Sequence, residues 1–599
     1  MSVQQHPSAA APARLPSSGA LCLAGGLLAV LLSFPALARD GEPVAPVEDG
    51  LAARSESAAP GEHGRVTLPD RVAAVLRRIL NADDGDGTAV MDGLALHAGA
   101  LRRFYRERAF RPAWIGAYGP NERAMAGLDA LRRADEDGLR PEDYGRAAAT
   151  ATGWRAASSL PERLAELELS LSRALIDFAG DLQIGRLNPK EIDPELAVAR
   201  VEIGDAELLR GLAAAPDVRR YLAGLAPSNA YYRGLRDALA RHRAIEARGG
   251  WPMVPTGPDL VRGVRDERVV TLRRRLEISG DLVATGGRVG AADGNDDDRF
   301  DPELEAAVRA FQARHGLRVD GVVGPRTRAA LNATVGDRIR QIIVNMERWR
   351  WLPDDLGRRH ILVNLAGFDL RVVEDGVTVL AMPVVVGRPY RSTPVFSDEL
   401  TYLVANPYWN LPHTIAVEDI LPQAREDPGY LIERGIRVLS GRGRDAVELD
   451  PYFIDWRRLG PHAFPFRLRQ DPGPLNALGR VKFMLPNKHE IYLHDTPDRY
   501  LFQRRVRASS SGCIRLADPI ALAEYLLRDH PHVGPGGIRA VVESGRTLDF
   551  RLREPVPVHL AYATAWVGED GEVNFRDDIY GRDERLTEAL FPTHSASAS

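Results

Sequence analysis

Cys513 and His494 are the residues of this chain best suited to covalent chemistry, and His494 lies 19 positions upstream of the cysteine. A thiol with a pKa near ~8.5 is only a few per cent thiolate at neutral pH. A nucleophilic cysteine therefore needs a base or positive surroundings. His494 ends the strand-like run Ile491-Tyr492-Leu493, and the chain then turns at Thr496-Pro497 before reaching Cys513. A loop of that length can bring thiol and imidazole together. Ser511-Gly512 ahead of the cysteine is polar and turn-forming, a poor setting for a cysteine that only fills space. Gly512 also allows close backbone approach, so the Gly512 and Cys513 N–H groups are reasonable donors to a developing oxyanion. Asp495 has two readings: its carboxylate orients the imidazole, or it caps the local turn.

Cysteine usage points the same way. The chain holds two cysteines, Cys22 and Cys513. Cys22 lies in the uncharged run Ala20–Leu37, which ends at the small-x-small sequence Ala36-Leu37-Ala38 and reads as an export signal over residues 1–38. An uncleaved membrane anchor is the alternative. Cleavage would leave Cys513 as a lone thiol in an oxidising compartment, a liability unless its reactivity is used.

With 599 residues, the chain is expected to form three or more domains. Its 44% hydrophobic and 27% charged residues are those of an ordinary globular protein. A net charge of −4 gives no reason to expect nucleic-acid binding. One cysteine and scattered histidines lack metal-ligand spacing. The clusters Asp83-Asp84-Gly85-Asp86 and Asp296-Asp297-Asp298 lack the order and closing glutamate of a calcium loop.

Residues 39–67 are rich in Ala, Pro, Glu and Gly without periodicity and read as a disordered linker. Residues 68–250 carry helical periodicity, as in Leu164, Leu167, Leu171, Leu175, Phe178 and Leu182. Gly249 to Pro258 reads as a linker. Residues 266–333 form a small helical unit in which Asp301-Pro302 starts a helix and Gly316 stops it. Residues 335–585 turn to β-branched runs at Ile361–Leu365, Leu370–Val373, Val377–Val386 and Leu400–Ala405, read as an antiparallel meander. An insertion over about 416–475 has the size of a lid. A helix is expected from Asp518-Pro519 to Arg528, and a terminal hairpin from Val556–Val567 and Val573–Ile579. Residues 586–599 read as a flexible tail.

Two stretches then carry a resemblance. Residues Leu272 to Leu276, Val308 to Gln312, Gly316-Leu317, Asp320-Gly321, Gly324, Thr327 and Ala330-Leu331-Asn332 resemble the peptidoglycan-binding domain 1 family. Tyr492-Leu493-His494-Asp495-Thr496-Pro497 followed by Ser511-Gly512-Cys513-Ile514-Arg515 resembles the active site of L,D-transpeptidases with the YkuD-type catalytic domain. The domain order is similar to that of the large YcbB-like subgroup. Ser511 departs from the wider family, where many members have histidine.

The resemblance implies a multidomain α+β protein with a helical scaffold domain, a three-helix peptidoglycan-binding domain and a mainly-β catalytic domain with a mixed capping insertion. It implies Cys513 as nucleophile and His494 as base, with Tyr492, Gly512, Ser511 and Asp495 in support. Arg515, Trp409, Tyr408 and Arg388 would line the substrate cradle, although structural roles for them are equally open. No cofactor and no metal are implied. The substrate would be a peptidoglycan tetrapeptide stem, cleaved at its diaminopimelate carbonyl with loss of D-Ala and passed to a second diaminopimelate amine. An L,D-carboxypeptidase, a wall-protein-attaching enzyme or a catalytically degenerate wall-binding protein are the alternatives. The setting would be the periplasm, with D,D-carboxypeptidase and glycan-synthase enzymes as expected partners.

Overall fold

A computed structural model describes residues 66–81, 95–145, 160–194, 196, 203–283, 296–441, 445–534 and 536–592. The expected export signal with Cys22, nearly all of the expected 39–67 linker, the Asp83–Asp86 cluster and the end of the expected tail lie outside these residues. Among the described residues no helix is long and apolar enough to cross a membrane.

The N-terminal part is helical. Its longest helix, α1 (Pro161–Ile184), buries the leucine stripe read from the sequence. Helix α2 (Ala230–Ala247) ends this part. The segment after it is not a free linker. Trp251 donates Nε1–H to the Ala333 carbonyl at 3.0 Å, and the Arg275 guanidinium stacks 3.8 Å above its ring centroid. Helices α3 (Glu267–Ile278), α4 (Pro302–Arg314) and α5 (Pro325–Leu331) then surround a core of their own, built on Leu272, Leu276, Leu304, Val308 and Phe311.

The strand-rich part opens with a helix, α6 (Val335–Trp349), ahead of the first expected strand at Ile361. A Thr334–Asp337 capping box starts it, and Ile339, Ile342, Ile343 and Met346 recur at helical spacing on its buried face. Helix α6 packs on α2, so helical scaffold and β domain share one core.

The main sheet has nine strands: β1 (Arg359–Asn364), β2 (Asp369–Glu374), β3 (Val377–Gly387), β4 (Phe396–Ala405), β5 (Val481–Met484), β6 (Leu493–His494), β7 (Ala508–Ser510), β8 (Ile514–Leu516) and β9 (Leu548–Ala561). Their order is β7-β3-β8-β6-β5-β4-β9-β1-β2, and β2 pairs back onto β3, closing eight strands into a ring. The expected antiparallel meander is therefore a mixed sheet: β6–β8, β9–β1 and β7–β3 are parallel. The expected terminal hairpin shrinks to Ala565–Val567 with Val573–Phe575, because Leu548–Ala561 is claimed by the main sheet.

The insertion has a core of its own, including Val417, Leu421, Val438, Trp456 and Leu468. Its small sheet runs from Trp409–Asn410 to Arg467–Gln470, so it begins before the polar excursion that marked it in the sequence.

One buried ion pair ties the helical part to the β domain. Arg582 Nε donates to Asp193 Oδ2 at 2.8 Å, with both side chains at most 5% exposed, and the guanidinium lies over Tyr562 and Tyr580. Arg585 Nη2 also reaches Asp193 Oδ2 at 3.2 Å from a more exposed position, so losing the Arg582 guanidinium leaves the buried carboxylate with only its weaker partner. Arg582→Met is expected to lower unfolding free energy by about 3 kcal/mol, read from urea unfolding curves; an unchanged midpoint would contradict this role.

Candidate active site

Strand register builds the site. His494 on β6 lies opposite Lys482 on β5 and opposite Arg515 on β8. Side chains alternate faces along a strand, so Tyr492, two residues before His494, and Cys513, two before Arg515, share that face. The Ile514 N–H donates to the Tyr492 carbonyl at 3.2 Å and carries the ladder up to the cysteine. Leu493, Ile514 and Phe483 point the other way and are fully buried. The apolar residues thus fix the register, and the register gathers the reactive ones.

His494 is 4% exposed, and its Nδ1 lies 2.5 Å from the Asp495 carbonyl oxygen. A carbonyl only accepts, so Nδ1 carries the proton and Nε2 keeps its lone pair. Burial, then the positive charges of Arg515 and Lys482, press the imidazole pKa down to about 3. The ring is neutral at physiological pH. Burial pushes the Cys513 thiol upward, opposed by the Tyr492 backbone N–H, Lys482, the Tyr492 phenol and Arg515. Imidazole and thiol are therefore both neutral at rest. The thiol points to the Glu490 carbonyl at 3.8 Å and to Tyr492, not to the imidazole.

Tyr492 stays protonated, its pKa raised first by burial and then by the negative charge Cys513 can carry. The Lys482 ammonium sits 3.8 Å above the Tyr492 ring centroid. Trp409 faces the Tyr492 hydroxyl, and its buried Nε1–H has no acceptor in good geometry among the described residues. Tyr408 is exposed, with Arg469 stacked on its ring, and belongs to the surface of the insertion.

The loop bearing Cys513 is held by side chains that the sequence suggested for other tasks. Gly512 has φ +116°, a conformation that favours glycine. Its N–H, expected as an oxyanion donor, instead donates to Ser510 Oγ at 3.1 Å. Ser510 Oγ–H in turn donates to the Cys513 carbonyl at 2.6 Å. The Cys513 N–H has no acceptor among the described residues and is the remaining backbone donor. Arg388, expected to touch substrate, donates Nε–H to the Ser510 carbonyl at 3.2 Å and Nη2–H to Ser511 Oγ at 3.1 Å. Asp495 does not orient the imidazole through its carboxylate, which accepts from the Arg480 N–H at 2.8 Å; its carbonyl does so instead. Arg515 pairs with Asp498 at 3.1 Å.

Four further residues shape the site, two of them, Arg391 and Thr393, in the loop 387–394 that the sequence offers as a peptide-contacting loop or an exposed turn. Lys482 becomes visible only through cross-strand register. Thr393, fully buried, donates Oγ1–H to the Gly512 carbonyl at 2.7 Å and accepts the Gly387 N–H at 2.9 Å. Arg391 donates to Ser511 Oγ at 3.2 Å while pairing with Asp419 and Glu418 of the insertion, joining cap to catalytic loop. Asn487 accepts the His489 and Ile491 N–H groups and so shapes the turn leading into β6.

Comparison with known proteins follows the same layout. Residues 99–239 match the family model described as "Scaffold domain", 265–331 match "Putative peptidoglycan binding domain", and 358–547 match "L,D-transpeptidase catalytic domain". A curated Haemophilus influenzae protein named "Putative L,D-transpeptidase" is 38% identical over 249 residues, covering 41% of this chain and 49% of that protein. The chain thus spans about half the length of this curated relative. Two similar solved structures are L,D-transpeptidases from Stackebrandtia nassauensis and Xylanimonas cellulosilytica. The first is 13% identical over 52% of this chain and 96% of that one, with a TM-score of 0.19. The second is 17% identical over 51% and 98%, with a TM-score of 0.16.

Proposed function

We propose that this chain, which contains an L,D-transpeptidase catalytic domain, cross-links peptidoglycan through a thioester on Cys513. The observation that carries the reading is the shared face of Cys513, Tyr492 and His494, with the imidazole fixed as a neutral Nδ1–H tautomer beside the thiol's strand.

Rotation of the Cys513 side chain away from Glu490 brings Sγ–H to His494 Nε2, a contact that tightens when substrate enters. Nε2 takes the thiol proton as Sγ attacks the diaminopimelate carbonyl of a tetrapeptide stem. The carbonyl oxygen, now an oxyanion, is held by the Tyr492 hydroxyl and the Cys513 N–H. The His494 Nε2 proton passes to the leaving nitrogen, the bond to D-Ala breaks, and a thioester remains. The amine of a second stem's diaminopimelate then attacks the thioester and gives its proton to Nε2. Collapse expels the thiolate, which recovers that proton, and the two stems are joined. Water in place of the amine yields the carboxypeptidase product. The reaction is placed in the cell envelope, where both stems are found.

Lys482 supplies the counter-charge. Its ammonium favours the thiolate, so Lys482→Met is expected to move the pH midpoint of Cys513 alkylation by iodoacetamide upward. Alkylation at neutral pH should slow several-fold, and Lys482→Arg should return the midpoint toward wild type. An unshifted midpoint in Lys482→Met would remove Lys482 from the account. The reading as a whole is tested by D-Ala release from disaccharide-tetrapeptide.

A further inference from the structure

The helical module and the β domain enclose a cleft of about 580 Å³ lined by Arg318, Arg326, Arg504, Arg505, Arg507 and Arg576. One carboxylate, Asp577, shares its wall, and it pairs with Arg505 at 3.0 Å. Of the other arginines, Arg318, Arg326 and Arg504 are poorly neutralised. Arg326 and Arg504 are exposed and have no carboxylate partner among the described residues, and Arg318 reaches Asp320 only at 3.7 Å. Arg507 donates to the Val384, Arg504 and Phe368 carbonyls, and Arg576 to those of Arg314 and Phe575. The half-buried Asp369 carboxylate offsets part of the charge of Arg507 and Arg576, which leaves Arg318, Arg326 and Arg504 as the exposed, poorly neutralised cations of the cleft. Crowding like charges in one partly enclosed space is unfavourable, and clefts lined by one sign of charge concentrate ligands of the other.

The walls identify the ligand. One wall, His315–Arg318 with Arg326, belongs to the segment matched to the peptidoglycan-binding family. The other, Phe502–Arg507, leads directly into β7 and the Cys513 loop. The two walls are docked rather than merely adjacent: Arg314 Nη1 donates to the Val573 carbonyl at 3.1 Å, and His315 stacks on Phe575. A polymer lying in this cleft would run from the binding module toward the nucleophile. Guanidinium groups in planar, paired array suit carboxylates.

We infer that this cleft binds the carboxylates of stem peptides on polymeric peptidoglycan and so seats the strand from which the catalytic loop draws a substrate. The inference rests on the cross-linking function proposed above for its choice of polymer. Phosphate-bearing wall polymers present similar anionic oxygens, and the experiment separates them.

Co-sedimentation with purified sacculi is measured in the Cys513→Ala background, so binding is read without catalysis. Arg318→Gln, Arg326→Gln and Arg504→Gln are combined, because these three side chains are exposed, and unfolding midpoints verify the fold. The triple variant is expected to bind about tenfold more weakly than its parent, with a shallower salt dependence. The parent should lose affinity comparably when stem carboxylates are amidated, and should keep it when phosphodiester-linked polymers are stripped with hydrofluoric acid. Equal binding by the triple variant, equal binding to amidated sacculi, or loss of binding only after acid stripping would each overturn the proposal. Absence of D-Ala release from tetrapeptide by the wild type would leave these binding results intact and strike only the catalytic reading.

Discussion

Cys513→Ala should abolish D-Ala release from a disaccharide-tetrapeptide, by about a thousandfold or more, while leaving the unfolding midpoint near wild type. The asymmetry follows from where the thiol sits. Cys513 is half-buried at the edge of the main core, in a loop held by Ser510, Thr393, Arg388 and Arg391, not by its own side chain. Exchanging Sγ for hydrogen removes the nucleophile and little packing. Release of D-Ala by a stably folded Cys513→Ala protein at a comparable rate would mean that another group does the chemistry.

His494→Gln is expected to slow acylation of Cys513 by a carbapenem about 10²- to 10⁴-fold, the usual worth of a positioned general base. Glutamine keeps a donor toward the Asp495 carbonyl but offers no basic nitrogen to the thiol. The pH dependence adds a second check. Because burial and the Arg515 and Lys482 charges hold the imidazole near pKa 3, the wild-type acylation rate should show no limb at the ordinary histidine pKa near ~6.5. It should instead stay flat through neutral pH, where neutral His494 takes the proton of the neutral thiol as sulfur attacks, and rise further only where the buried thiol ionises by itself. A limb between pH 6 and 7 that vanishes in His494→Gln would show that the ring is charged at rest, contrary to the geometry described here. An unchanged rate in His494→Gln would remove it as the base.

Much of the site was legible because it is local in the chain. His494 ends β6 and the Cys513 loop leads into β8, two strands that are near neighbours in sequence, so residue type and loop length were enough to place them on one face. Asp301-Pro302 likewise announced its helix, since a cap is a property of a few adjacent residues. Lys482 was not legible, because its place beside Tyr492 and His494 depends on how β5 pairs with β6 across a turn of irregular length. The Gly512 amide was misassigned for a related reason: a neighbouring hydroxyl, Ser510 Oγ, satisfies it, and only side-chain direction reveals that. Helix α6 had a readable stripe in Ile339, Ile342, Ile343 and Met346 that went unassigned because the strand runs begin only at Ile361. The parallel pairing of β6 with β8 and the closure of β2 onto β3 are long-range choices that no local pattern specifies.

The central claim is that Cys513 carries a peptidoglycan acyl group through a thioester. The most direct measurement is mass spectrometry of the purified protein after incubation with disaccharide-tetrapeptide, with acid quenching and mapping of the peptide that contains residue 513. The expected result is free D-Ala, a cross-linked dimer and a hydroxylamine-labile mass increment on Cys513, absent from Cys513→Ala. A well-folded protein that yields neither D-Ala nor dimer, and leaves Cys513 unmodified, would contradict it.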